Sequence, residues 1–193
     1  IKLGPIKKAI ALLHKQNANF DHYILSAGYG LIKADTQIVP YDITFERPAD
    51  IATQTNNKCR NNSEWASFLQ IRKKLDDIIG HYDLIIFLLA GKYTNVLKLN
   101  NPILQLKDTQ KVLYIDLPNN VPEIESFKIL DPSIFRNEQY GNNGRMRDYK
   151  IRGNLFYHVI QIAAKKKIDP FLYLYETKID ELTCDLNRYC FQE

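Results

Sequence analysis

Cysteine is scarce in this sequence. Cys59, Cys184 and Cys190 are an odd number and have no metal-ligand spacing. A disulfide framework and a cysteine zinc site are therefore not expected, and a reducing, cytoplasmic setting is. The four histidines, His14, His22, His81 and His158, also lack metal spacing. No apolar run approaches the roughly 18 residues of a membrane span, and no signal-peptide pattern is visible. A membrane partner is not expected, nor is a cofactor or a metal. Internal repeats, coiled-coil heptads and low-complexity tracts are missing as well. The first residue is Ile1 rather than Met, so an upstream segment is expected.

What is present reads as one globular α/β domain over residues 1–193. Apolar residues make up 45% and charged residues 25%, enough for a sizeable core. The net charge of +4 and a sequence pI of about 8.8 are compatible with a nucleic-acid partner. Residues 5–16 predict a helix with Ile6, Ala9, Ile10 and Leu13 on one face. Residues 22–26 predict a strand, and 43–62 a long loop. A helix capped by Ser63 is expected to run to Ile79, with Gly80 ending it. Residues 82–89 predict a central strand buried on both faces. A short helix over 92–99 and a strand over 111–115 follow. Residues 145–193 predict a helical C-terminal part, its longest helix reaching Lys167 and broken at Asp169-Pro170. The alternation argues for a central mixed or mostly parallel sheet flanked by helices.

Three clusters carry residues suited to chemistry. In the first, a strand ends in Ser26-Ala27-Gly28-Tyr29-Gly30, and Pro40-Tyr41-Asp42 follows in the next loop. Glycine lets a ligand approach the main chain, so N–H groups near Gly28 and Gly30 suit an anion or a base carbonyl. Tyr29 and Tyr41 suit stacking on a base. Asp42, with Tyr41 beside it, is the candidate catalytic acid, to orient water or stabilise a cationic sugar. The competing reading is a turn, a rigid loop and a carboxylate bonded to its own backbone. In the second cluster, Gly91, Lys92 and Tyr93 follow a strand, where open α/β sheets place ligands. In the third, Arg145, Arg147, Lys150 and Arg152 start a helix and suit nucleic-acid phosphates, or form an ordinary solvated face. The Lys165-Lys166-Lys167 run suits a helix end. Leu3-Gly4-Pro5 faintly suggests a helix-hairpin-helix DNA binder, without the second glycine of that motif.

The chain resembles the YaaA family, peroxide-stress DNA-binding proteins with DNA-glycosylase-like relatives. Ser26, Tyr29, Gly30, Leu31, Asp35, Ile38, Pro40 and Tyr41 match its serine–small–tyrosine–glycine–leucine turn and its proline–tyrosine pair. Leu89-Ala90-Gly91-Lys92-Tyr93 and Lys150-Ile151-Arg152-Gly153 match two later elements in the right order. Asp42 stands where the family usually has arginine, and Lys92 where it has glutamate. If the two loops meet, an ion pair with exchanged partners is expected. The resemblance implies a first strand upstream of Ile1 and a DNA partner. It further implies a glycosylase-like enzyme acting on a base in DNA. The alternatives are a non-catalytic DNA-binding stress protein and a small nucleotide-binding protein.

Overall fold

Four consecutive residues, Val112, Leu113, Tyr114 and Ile115, have no exposed surface at all. Successive side chains on a strand point to opposite faces, so such a strand needs cover on both sides. The structure, a computed structural model, describes residues 4–47, 51, 53, 59–89, 91–99, 103–116, 124, 127–135 and 148–190. Among these the chain runs α1 (Gly4–Lys15), β1 (Tyr23–Ser26), β2 (Gly30–Lys33), α2 (Asn62–Phe68), α3 (Ile71–Ile79), β3 (Leu84–Phe87), α4 (Gly91–Leu97), β4 (Lys111–Ile115) and β5 (Phe127–Leu130). A 3-10 turn (Pro132–Phe135) then precedes α5 (Asp148–Lys166), α6 (Pro170–Glu176) and α7 (Ile179–Cys190).

The protein is α/β. Strands β3, β4 and β5 form a parallel sheet in that order, with Phe87 opposite Tyr114 and Ile115 opposite Leu130. Val112 and Tyr114 face a core built with Trp65, Ile71, Leu75, Ile79, Val96 and Leu97, from α2, α3 and α4. Leu113 and Ile115 face the other core, with Leu13, Leu155, Val159, Tyr173 and Leu186, from α1, α5, α6 and α7. Strand β4 is thus the middle of three layers.

The sequence reading needs three corrections. The strand within residues 82–89 is at the edge of the described sheet, not its centre. Leu84, Ile85 and Ile86 are accordingly only half-buried. The strand at 22–26 belongs to a separate antiparallel hairpin with β2, in which Ser26 pairs with Gly30. The helix expected from Ser63 to Ile79 is two helices. Its N-cap is Asn61, whose side chain accepts the Glu64 N–H at 2.9 Å while the Glu64 carboxylate accepts from Arg60 N–H. That places an acid three residues after the cap, the spacing at which the two can serve each other's end. At Gln70 the backbone enters the left-handed region (φ 53°), and the chain re-aims before α3. Ile71, Leu75 and Ile79 then face the core, while Phe68 is left 65% exposed.

Helix α5 crosses α1 closely. A Cβ on Gly153 would lie 3.2 Å from Ile6 Cγ1, so the glycine sets the approach. At its far end α5 is clamped to α6 and α7 through Asp185. That carboxylate accepts from Lys166 Nζ and from the Tyr173 hydroxyl, and the Lys166 ammonium lies 5.2 Å from the Tyr173 ring centre. Burial alone would raise the Asp185 pKa, but the hydrogen bonds from Lys166 and Tyr173 outweigh it and hold the pKa below its ordinary value.

The clamp therefore contributes stability in full above about pH 4, the ordinary carboxylate value. That contribution is lost as pH falls through the lowered folded-state pKa. Asp185→Asn should cost about 1.5–3 kcal/mol at pH 7, the range for hydrogen bonds to a charged group. In urea unfolding the gap between variant and wild type should narrow steadily towards pH 3. A gap of equal size at both pH values would rule out the charged clamp.

Candidate functional site

The hairpin turn is built by one hydroxyl. Ser26, 3% exposed, closes β1, and its Oγ accepts the N–H of Gly28 at 3.3 Å and of Tyr29 at 3.1 Å. Gly30, which pairs with Ser26 as the first residue of β2, then takes φ 75°, a left-handed conformation that glycine adopts without a side-chain clash. Gly30 also backs onto α2, where an added Cβ would sit 3.1 Å from the Leu69 carbonyl oxygen. From α2, Trp65 Nε1 donates to the Ala27 carbonyl at 2.6 Å. The main-chain N–H groups of Gly28 and Tyr29, read from the sequence as donors for a ligand, are thus taken by Ser26.

The same Oγ lies 2.7 Å from Tyr41 Oη. With both lone pairs of Ser26 Oγ engaged by N–H groups, the serine proton goes to Tyr41, which leaves the phenol its own proton to donate. Tyr29 acts on the same loop. Its hydroxyl donates to the Val39 carbonyl and accepts the Val39 N–H, each at 3.1 Å. The two tyrosine rings meet edge to face, 5.4 Å between centres. Gly28 lies under the Tyr41 ring, and a Cβ there would come within 2.7 Å of it. The loop after β2 is therefore fixed at two points. What it holds out is apolar: Val39 is 70% exposed, Ile38 46% and Tyr41 42%.

Farther along, the loop reaches α4. Phe45 is fully buried and packs edge to face on Tyr93, ring centres 5.2 Å apart. Tyr93 Oη lies 3.5 Å from Thr44 Oγ1. Lys92 Nζ donates to the Glu46 carbonyl at 2.9 Å. Gly91 opens α4 at φ 33° with open space where a Cβ would be. Residues 40–47 thus connect the Ser26–Tyr29–Tyr41 group to Lys92 and Tyr93. The exchanged ion pair between Asp42 and Lys92 is not formed. Asp42, its side chain 91% exposed, lies 3.5 Å from Arg47 instead. Asp42 can meet a ligand from solvent, but nothing described around it shields its charge from water. Lys74 adds a cation on the inner side of the turn, 3.5 Å from the Tyr29 carbonyl.

The basic cluster separates. Arg145 and Arg147 lie outside the described residues, and Lys150 is in the first turn of α5. Arg152 does not join a solvated basic face. It is 3% exposed and ion-paired with Asp116, itself fully buried and directly after β4. Two further buried groups lie in this region. The Tyr114 hydroxyl donates to Thr94 Oγ1 of α4 at 2.8 Å. Burial raises the Tyr114 pKa, while the Thr94 bond opposes it and the charges of Asp116 and Arg152 act in opposite directions. Asp116 and Thr94 were not singled out from sequence. The signal for Asp116 was its place directly after a fully apolar strand.

Gly28→Ala should push the Tyr41 ring off Ser26 and release the loop. Limited proteolysis should then cut within residues 34–47 several-fold faster than in wild type, with little change in the protection of β4. An unchanged cleavage rate would show that Gly28 does not hold the loop.

No protein-family model matches this chain, no curated protein matches it, and no solved structure matches its fold.

Proposed function

We propose that this protein binds nucleic acid and acts on a base in DNA as a glycosylase-like enzyme, with the loop of Ile38, Val39, Tyr41 and Asp42 as the element that meets the base. One observation carries this reading. The loop holds three large apolar or aromatic side chains out in water, yet Tyr29 and Ser26 fix it by hydrogen bonds at both Val39 and Tyr41. Ordering exposed apolar side chains has no benefit for burial. It does suit insertion beside an unstacked base, where apolar wedges and aromatic faces replace lost stacking. The cations of Lys92, Lys74 and Arg47 at the same loop suit the accompanying phosphates.

In base release, the C1′–N bond breaks, water adds to C1′, and the base leaves with a proton. Asp42 would stabilise the cationic sugar or orient that water, and Tyr41 would hold the base. A second reading, binding without catalysis, is favoured by the exposure of Asp42 and its pairing with Arg47. A carboxylate in bulk water stabilises charge far less than one in a dry site. For Asp42 to act, the bound base itself must cover it.

Fluorescence anisotropy with labelled single- and double-stranded DNA tests the binding. Tyr41→Ala should weaken binding about tenfold or more, since stacking carries roughly 1–3 kcal/mol per base. Tyr41→Phe keeps the ring and should retain most of the affinity. No binding by wild type, or equal affinity of Tyr41→Ala, would overturn the proposal. Abasic-site formation on a panel of modified DNA tests the chemistry. Asp42→Asn should abolish it with affinity unchanged or slightly tighter, whereas no base release by wild type selects the non-catalytic reading.

A further inference from the structure

Residues 1–20 and 149–168 contain no aspartate or glutamate. These stretches hold α1 and all of α5 after Asp148, two helices that pack together with Gly153 against Ile6. Helix α1 buries Ala9 and Leu13 and leaves Lys7, Lys8 and Lys15 exposed. Helix α5 leaves Tyr157 and His158 half-buried and Lys165 exposed. These side chains adjoin one another. Lys8 Nζ lies 5.8 Å from the centre of the Tyr157 ring, and Lys165 Nζ lies 5.6 Å from that of Tyr189 on α7. Burial lowers the His158 pKa, the bond to Gln161 opposes this, and the charges of Lys165 and Lys8 lower it further. Cations from two helices therefore meet at one imidazole.

Folding does not account for this concentration of charge. Lys7 and Lys8 lie in the amino-terminal half of α1, whose first turn holds no acid. The helix dipole favours acids at that end and lysines at the other. Lysines elsewhere in the chain have partners. Lys33, Lys111 and Lys166 pair with carboxylates, and Lys92, Lys107 and Lys128 donate to main-chain carbonyls. Among the described residues, Lys7, Lys8, Lys15 and Lys165 make no ion pair and no side-chain hydrogen bond. Like charges gathered without acids repel one another, and an anionic partner offsets that repulsion.

The rest of the face selects the partner. A helix lying on a membrane inserts large apolar side chains. Between its lysines α1 exposes only Ala11 and His14, and the large exposed hydrophobic residues belong to other segments. Cations alternating with tyrosine and histidine rings suit a sugar–phosphate backbone. We propose that the α1–α5 face, with Lys8, Lys15, Lys165, Tyr157 and His158, is a second nucleic-acid surface that holds phosphates without reading sequence. It rests on the nucleic-acid reading above but not on the Tyr41 loop. The hairpin and its loop pack with the core on one side of β4, through Ala27 and Phe45, whereas α1 and α5 pack on the other.

The test measures DNA affinity by fluorescence anisotropy between about 50 and 200 mM salt, the range over which phosphate contacts weaken steeply. Lys8→Gln combined with Lys165→Gln removes two exposed charges, and its thermal unfolding should match wild type. Its plot of log affinity against log salt should flatten by about 1.5 units, at roughly 0.7–0.9 per lost phosphate contact. Affinity near the middle of that range should fall about tenfold or more, equally on oligonucleotides of unrelated sequence. Lys107→Gln combined with Lys178→Gln removes the same charge elsewhere and should leave the slope unchanged. Tyr41→Ala should weaken binding without changing the slope, which separates the two surfaces. An unchanged slope in the Lys8 and Lys165 variant, or equal flattening in the Lys107 and Lys178 variant, overturns this proposal alone. No DNA binding by wild type overturns it together with the reading above. Sedimentation with phosphatidylserine vesicles covers the other anionic surface. Vesicle binding that the Lys8 and Lys165 variant loses, with its DNA slope unchanged, assigns the face to a membrane and overturns the proposal.

Discussion

The complete burial of β4 is the constraint from which the rest of the fold follows. A strand with Val112 and Tyr114 on one face and Leu113 and Ile115 on the other has no polar side to offer water. Helices must lie on both faces, and α2–α4 supply one layer while α1 and α5–α7 supply the other. One consequence reaches the candidate sites. The first residue beyond the apolar run, Asp116, is carried inside with it, so its charge needs a partner. Arg152 supplies it from the layer opposite α4. Removing either member alone would leave a buried charge uncompensated, which is costlier than never having built the pair.

How legible this was in the sequence depends on what decides each element. Lys111–Ile115 was found with its bounds because a short continuous apolar run leaves little choice. The helices at both ends were found because apolar spacing, Pro170 and Asp169 mark them; Asp169 Oδ1 accepts from the N–H groups of Phe171 and Leu172. The break at Gln70 carries no glycine or proline. It lies where Leu69 and Ile71 pack against Gly30, a tertiary contact that no local signal reports. The central position given to β3 failed for a related reason. An apolar strand of four residues reads alike at a sheet's edge and at its centre.

For the candidate site, the sequence marks residue types and not their bonding. Ser26 bonds Tyr29 and Tyr41, and Thr44 and Glu46, farther along the same loop, meet Tyr93 and Lys92. The sequence could not say that Ser26 spends its acceptors on Gly28 and Tyr29, or that Tyr29 spends its hydroxyl on Val39. A serine next to glycine reads equally as ligand donor or as turn builder, and only the loop's course distinguishes them. Arg152 shows the opposite limit. Arg145, Arg147 and Lys150 precede it, which suggests phosphate contacts or a solvated face, yet Ile151 and Gly153 beside it are buried against other elements. Charge runs report composition, while the position of each residue around the helix decides which charge goes inside.

The contact between Gly30 and the Leu69 carbonyl links two places far apart in sequence. A side chain at position 30 would meet the Leu69 carbonyl at 3.1 Å with its backbone at φ 75°, so it is strained unless the end of α2 gives way. In descent, therefore, these positions are not free to drift one at a time. A lineage that loses the glycine must alter the helix break in the same step or abandon the hairpin's seat, and with it the support of Tyr41. The record of that coupling would be joint change at positions 30 and 69–70, legible in diverged copies of this chain even where the overall sequence has become hard to align.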